Sequence, residues 1–189
     1  MPRTRMSPVI PHLLREQANA VQLYLQYKGY HWNVAGPQFR DLHLLFDEHA
    51  TAVFETIDPL AERQRMLGAA ALYTMADLSS ASVLSKEAGL PPTPRGMVER
   101  LIAAHRVIIE GMHEGFKAAE LERDPGSSDL FARFVQAHEK MEWFLREIAS
   151  EAPAVPEETG RLMVPTEKGP VLPSTPAGPT TALGRRSRP

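Results

Sequence analysis

Cysteine is absent from this sequence. That removes disulfides, cysteine-based zinc sites and thiol catalysis, so any metal must be held by His, Asp and Glu. Also missing is any run of the ~20 apolar residues that a membrane helix needs. The opening residues MPRTRMSPVIPHLLREQ carry two arginines with no continuous apolar stretch after them, so they do not read as a signal peptide. Charge of one sign is lacking as well. A formal net charge of -2 does not advertise nucleic acid, and any such function must sit in a local patch. No segment reads as a strand. The expected location is the cytoplasm. What remains is ordinary for a soluble globular chain: 43% hydrophobic and 23% charged residues over 189 positions, enough for one core and a tail but thin for two domains.

The apolar residues are spaced for helices. From Val9 to about Asn33 they recur as Leu14, Ala18, Val21 and Leu25, with Tyr24 beside them. Residues 34–37 break the pattern, and Pro37 suits the start of a second helix over about 38–67. Its apolar set includes Leu42, Leu45, Phe46, Val53, Phe54, Ile57 and Leu60. Pro59 lies inside it and predicts a bend, because proline lacks the N–H that a helix interior needs and biases Asp58 away from helical geometry. A short helix is expected over residues 75–88. A third long helix begins after Thr93-Pro94, a capping residue followed by proline, and ends near Arg123. Asp124-Pro125-Gly126 reads as a turn, followed by a fourth helix over about 127–150. Four long helices and a minor one predict an all-α four-helix bundle, with a crossover that lets the second and third long helices run parallel.

The expected domain limits are a flexible N-terminal segment over 1–8, the bundle over 9–151 and a disordered tail over 152–189. The tail holds eight prolines and no helical period. Its five basic residues (Arg161, Lys168, Arg185, Arg186 and Arg188) outnumber three acidic ones (Glu157, Glu158 and Glu167).

The first two helices hold His31, His43, Asp47, Asp58 and Glu62. His43 and Asp47 are one helical turn apart and share a face, as do Asp58 and Glu62. Imidazole with carboxylate suits iron, manganese or zinc. A helix rises ~1.5 Å per residue, so His43 and Glu62 stand ~28 Å apart and cannot meet within one chain. Two copies crossing antiparallel about a two-fold axis would bring them together. The numbers in the pairs 43/62 and 47/58 share one sum, so both pairs would match in one register. The axis would pass between Ala52 and Val53, with alanines at 50 and 52 permitting close approach. An isologous interface of this kind creates two sites per dimer. Spacing alone leaves this and a merely solvated charged face both open.

The run Lys28-Gly29-Tyr30-His31-Trp32-Asn33-Val34-Ala35-Gly36-Pro37-Gln38-Phe39-Arg40-Asp41-Leu42-His43-Leu44-Leu45-Phe46-Asp47-Glu48 resembles the signature of the Dps family, the DNA-binding proteins from starved cells. Asp58-Pro59-Leu60-Ala61-Glu62-Arg63 resembles that family's D-x-x-A-E-R, and residues 138–145 are also similar. The likeness covers about residues 9–150. It implies a ferritin-like bundle assembled from two-fold dimers into a hollow, tetrahedral homododecamer. It further implies oxidation of Fe(II), preferably by hydrogen peroxide, at dinuclear inter-subunit sites, with storage of ferric iron inside and protection of DNA from oxidative damage. The family's ligands fall on His31, His43, Asp47, Asp58 and Glu62. Pro59 is the departure. Zinc is expected to be able to replace iron in vitro.

On that reading Asp58 and Glu62 anchor the first iron with the partner's His31, while His43 and Asp47 complete a weaker second position. Trp32 is a candidate radical trap, with core packing as the plain alternative. Asp124 and Asp129 are candidates for an iron-entry pore, with helix capping as the alternative. The remaining histidines are expected in packing or on the surface, with His49 as a candidate partner of the site. Arg185, Arg186 and Arg188 are candidate DNA contacts, helped by Arg3 and Arg5 at the other end. Two other readings stand beside the ferroxidase: a nucleoid-compacting protein with a weak metal site, and a helical oligomer without redox activity.

Overall fold

The computed structural model describes residues 6–86 and 89–150. The chain divides into two compact units, Met1–Glu151 and Ala152–Pro189. The second unit lies outside the described residues, and with it the expected tail and its arginines; so do Arg3 and Arg5. Among the described residues there are five helices: α1 (Ile10–Asn33), α2 (Phe39–Met66), α3 (Met75–Ala81), α4 (Pro94–Leu121) and α5 (Pro125–Ala149). None is long and apolar enough to cross a membrane.

Side-chain contacts fix the topology. Along α1 and α2, His31 meets His43, Tyr27 meets His49 and Gln17 meets Gln64, so these helices are antiparallel. Arg15 reaches Gly111 and Tyr27 reaches His105, which makes α4 antiparallel to α1. It follows that α2 and α4 run parallel, as the long crossover between them allows. Helix α5 runs back along both, through His105–His138 on one side and Arg63–Asp124 on the other. The crossover carries α3 along α1.

Local chemistry sets the ends. Thr93 caps α4 by accepting from the Gly96 N–H, with Pro94 at the first helical position. Asp124 does the same for α5, accepting from the Ser127 N–H. Asp124-Pro125-Gly126 is therefore a helix start rather than the expected turn. Helix α3 stops at Ala81, short of the expected 88, because Asn19 of α1 draws the chain out. Its Oδ1 accepts both from Ser82 Oγ at 2.9 Å and from the Val83 N–H at 3.0 Å. Helix α2 runs unbroken through Pro59, so Asp58 stays in helical register.

The core stripe of α1 also differs from expectation. Leu13, Ala20, Leu23, Tyr27 and Tyr30 are buried, whereas Leu14 and Val21 are half-buried and Leu25 is exposed. Helix α1 has apolar residues on two sides, and the second side lines a cleft of about 610 Å³ beneath the crossover, beside Leu78, Leu84 and Val107. On α4, Gly115 lies under the ring of Phe131: an added Cβ would stand 2.5 Å from Phe131 Cζ.

One polar chain crosses the core. The Tyr27 hydroxyl lies 3.1 Å from His49 Nδ1 and 2.6 Å from His105 Nε2. His105 Nδ1 lies 2.9 Å from His138 Nδ1. Each of the four long helices supplies one member, and all four side chains are buried. Burial pushes His49 and His138 down to about 4 from an ordinary 6.5 and His105 well below it. The three rings are thus neutral when folded. Between pH 6.5 and about 4 the unfolded chain binds protons that the folded chain refuses. Stability is therefore fully present above pH 6.5 and falls as pH drops towards 4, by about 3 kcal/mol for His138 alone. Glu16, whose buried carboxyl is raised, pulls the other way, against the three core rings and His12, which is also lowered. Urea denaturation at steps between about pH 7.5 and 4.5 should show this decline, and a flat profile would contradict it. Gly115→Ala should cost about 1–3 kcal/mol in the same assay, since Phe131 has no room to give.

Candidate metal centre

The hairpin of α1 and α2 brings three of the five expected ligands to one end of the bundle. His31 and His43 stack with ring centroids 3.8 Å apart and planes 21° from parallel. Their backbones hold them reciprocally: His31 Nδ1–H donates to the His43 carbonyl, and His43 Nδ1–H donates to the His31 carbonyl, each at 2.8 Å. A carbonyl can only accept, so each Nδ1 must carry the proton. In the neutral ring each Nε2 then presents a lone pair, which is the form a metal requires.

Asp47 completes this end. Lys28 donates to its Oδ1 at 2.6 Å, and this bond holds the exposed carboxyl below its ordinary range. Lys28 lies inside the sequence motif but has no assigned role from sequence. The signal was available: the pairing that sets His31 opposite His43 also sets Lys28 opposite Asp47. The ammonium supplies the positive charge that a bound cation would otherwise bring.

Asp58 and Glu62 lie towards the other end of α2. Both are exposed, and among the described residues neither takes part in an ion pair. No three His, Asp or Glu side chains within the described residues form a group able to hold a metal. Within one chain the expected ligands therefore fall into two separate groups, His31, His43 and Asp47 at one end of α2 and Asp58 and Glu62 towards the other.

The outer face of α2 carries both groups on one regular stripe. Residues 43, 47, 51, 54, 58 and 62 form one stripe with spacings of four, four, three, four and four. That series reads the same in both directions, so the stripe can face a second copy of itself with His43 opposite Glu62 and Asp47 opposite Asp58. Towards its ends the helix leaves Phe39 46% and Met66 68% exposed, a pair in the same register. The expected role of Ala50 needs correction. It is buried in its own bundle, as is Val53, because both lie on the inner side of the helical period. Thr51 and Phe54 hold the middle of the exposed face, with Phe54 against the Tyr24 ring at 5.4 Å.

The other candidates separate. Trp32 is 68% exposed, which rules out core packing within the chain, and Lys28 Nζ sits 5.9 Å from its ring centroid. Asp124 is committed: it caps α5, accepts from Ser127 Oγ at 2.7 Å and pairs with Arg63. Asp129 is exposed and pairs with Arg133 at 2.9 Å. His49 turns inward to Tyr27 rather than towards His31 or His43.

A ferritin-like domain family model matches residues 10–155. DNA protection during starvation protein 1 of Deinococcus radiodurans is 32% identical over 139 residues, spanning 74% of this chain and 67% of that protein. The structure of Dps from Thermosynechococcus elongatus matches with a TM-score of 0.74 at 44% identity, covering 78% of this chain and 93% of the other. Dps from Vibrio cholerae O1, described as a member of a broad superfamily of ferritin-like diiron-carboxylate proteins, matches with a TM-score of 0.71 at 25% identity, covering 75% and 89%. With its antiparallel helix pairs and parallel crossover, the chain belongs to the ferritin-like proteins and, within them, to the Dps family.

Proposed function

We propose that this protein oxidises Fe(II) with hydrogen peroxide at dinuclear centres formed across a two-fold axis, stores the ferric product in a hollow dodecamer and thereby protects DNA. The observation that carries this reading is the pair of imidazoles at His31 and His43. Both are locked by backbone carbonyls into the tautomer that offers Nε2, on a helix whose outward stripe is its own complement. The diiron-carboxylate description of the Vibrio cholerae relative agrees with iron as the metal.

Iron is the substrate here. Asp58 and Glu62 of one subunit, with the partner's His31, bind the first Fe(II). Two carboxylates and one imidazole suit a cation of this class. His43 and Asp47 hold the second. Lys28 already occupies Asp47 Oδ1, so a cation entering there competes with the ammonium and binds the more weakly. With both in place, two electrons reduce one peroxide to water and no hydroxyl radical escapes. Of the two residues considered for iron entry, Asp129 is the one that keeps an exposed carboxylate.

Asp58→Ala with Glu62→Ala should slow peroxide-dependent Fe(II) oxidation by more than the roughly 10–100-fold that loss of an outer-shell partner costs. The assembled shell should persist by size-exclusion chromatography, because both residues are exposed. Unchanged oxidation would place the centre elsewhere. The unaltered protein should consume about two Fe(II) per peroxide.

A second reading is favoured by the arginines at 185, 186 and 188 and by the printed name of the Deinococcus relative. Repeated on many subunits, weak phosphate contacts gain avidity. DNA retardation that is lost on deleting residues 152–189 and weakens with salt supports it; retardation unaffected by the deletion removes the tail from the account.

A further inference from the structure

The polar chain through the core has no part in binding iron as described above. A fully buried phenol flanked by two imidazoles is nevertheless a specific chemical device. A phenol gives up an electron readily only if its proton can leave at the same moment, and a hydrogen-bonded neutral imidazole is a base placed to take it. Tyr27 has this arrangement, with its oxygen 2.6 Å from His105 Nε2 and 3.1 Å from His49 Nδ1. Burial keeps the Tyr27 phenol protonated and the His105 ring neutral, ready for that transfer.

Position matters as much. Tyr27 is one helical turn from His31 on α1, so ~6 Å along the axis. Its ring is 6.1 Å from that of Phe46, the neighbour of Asp47. The two other electron-rich rings nearby are less suited. Tyr30 is buried too, but its hydroxyl meets the Gln26 amide N–H at 3.0 Å, a donor and not a base. Trp32 is largely exposed and has the Lys28 ammonium over its ring, which opposes the positive charge an oxidised indole would carry.

We propose that Tyr27 is a redox-active residue that takes up the stray oxidising equivalent of the iron centre as a neutral phenoxyl radical, with His105 receiving its proton. This rests on the iron-oxidation reading. When a single Fe(II) meets peroxide, one electron cleaves the O–O bond to hydroxide and a hydroxyl radical. That radical takes one electron from Tyr27 and one proton from solvent, and becomes water. The phenolic proton passes to His105 Nε2, while His105 Nδ1 remains bonded to His138. A later Fe(II) returns the electron, becoming Fe(III), and the proton moves back to the phenol.

The test is electron paramagnetic resonance on assembled protein frozen after substoichiometric Fe(II) and then hydrogen peroxide. A neutral tyrosyl signal is expected, lost in Tyr27→Phe and kept in Tyr30→Phe and Trp32→Phe. Ring-deuterated tyrosine in the unaltered protein should narrow it, which identifies the radical as tyrosyl without any substitution. A second arm uses iron-free protein and a flash-generated ruthenium tris-bipyridine oxidant. There Tyr27 should form the same radical, more slowly in heavy water. A radical in this arm with no iron oxidation in the first would sink the iron reading and leave Tyr27 as the redox site. Fast iron oxidation with a radical indifferent to Tyr27→Phe, or with none in either arm, would overturn the proposal.

Discussion

The 28-residue helix α2 is a rod, and a rod cannot bring its own ends together. Everything about the candidate centre follows from that. Imidazoles at one end and carboxylates at the other have no shared chemistry in one molecule. The same rigidity makes the pairing of two copies well defined, because every residue of the stripe has a fixed height and angle. The palindromic spacing of residues 43, 47, 51, 54, 58 and 62 allows the rod to face a second copy of itself in one register. Pro59 leaves the rod intact, so the register from His43 to Glu62 is kept.

Around this rod the bundle does two separate jobs. The hairpin with α1 orients the two imidazoles through four atoms, the two Nδ1 nitrogens and the two carbonyls, while the Phe39 ring packs on His43. The interior meanwhile holds a phenol and three histidines, one from each long helix, that touch no expected ligand. Apolar packing would have been simpler there. Buried polar groups demand partners, and these partners tie all four helices to one another at mid-height. The arrangement asks for neutral rings, and so makes the fold sensitive to acid.

Much of this was legible in the sequence. Helical periodicity, Pro37, Thr93-Pro94 and the break at residues 34–37 placed four long helices within a few positions. The ligand types and their separation along α2 showed that, if they serve one centre, a second copy is needed. Legibility failed where a tertiary contact outweighed a local pattern. Asn19 ends α3 early by accepting two hydrogen bonds from the crossover. Asp124-Pro125-Gly126 carries turn residues, yet the cap and Arg63 make it a helix start. Of the expected stripe on α1, Ala18 is buried, whereas Val21 and Leu25 line the cleft beneath the crossover. Ala50 cannot be told from an interface alanine until the inner side of α2 is known. His49, His105 and His138 are scattered histidines in the sequence and become a chain only when four helices converge. Lys28 lay inside the motif, and the hairpin register, once drawn, points to Asp47.

The central claim, that each centre takes His31, His43 and Asp47 from one molecule and Asp58 and Glu62 from another, is tested most directly by complementation. One chain carries His31→Ala, His43→Ala and Asp47→Ala; the other carries Asp58→Ala and Glu62→Ala. Each assembled alone should oxidise Fe(II) no faster than solution controls. Co-assembled in equal amounts, half of the two-fold pairs are mixed and each mixed pair regains one complete centre, so roughly a quarter of the unaltered rate should return. Failure to recover any rate in verified mixed assemblies, or full activity in either variant alone, would contradict a shared centre.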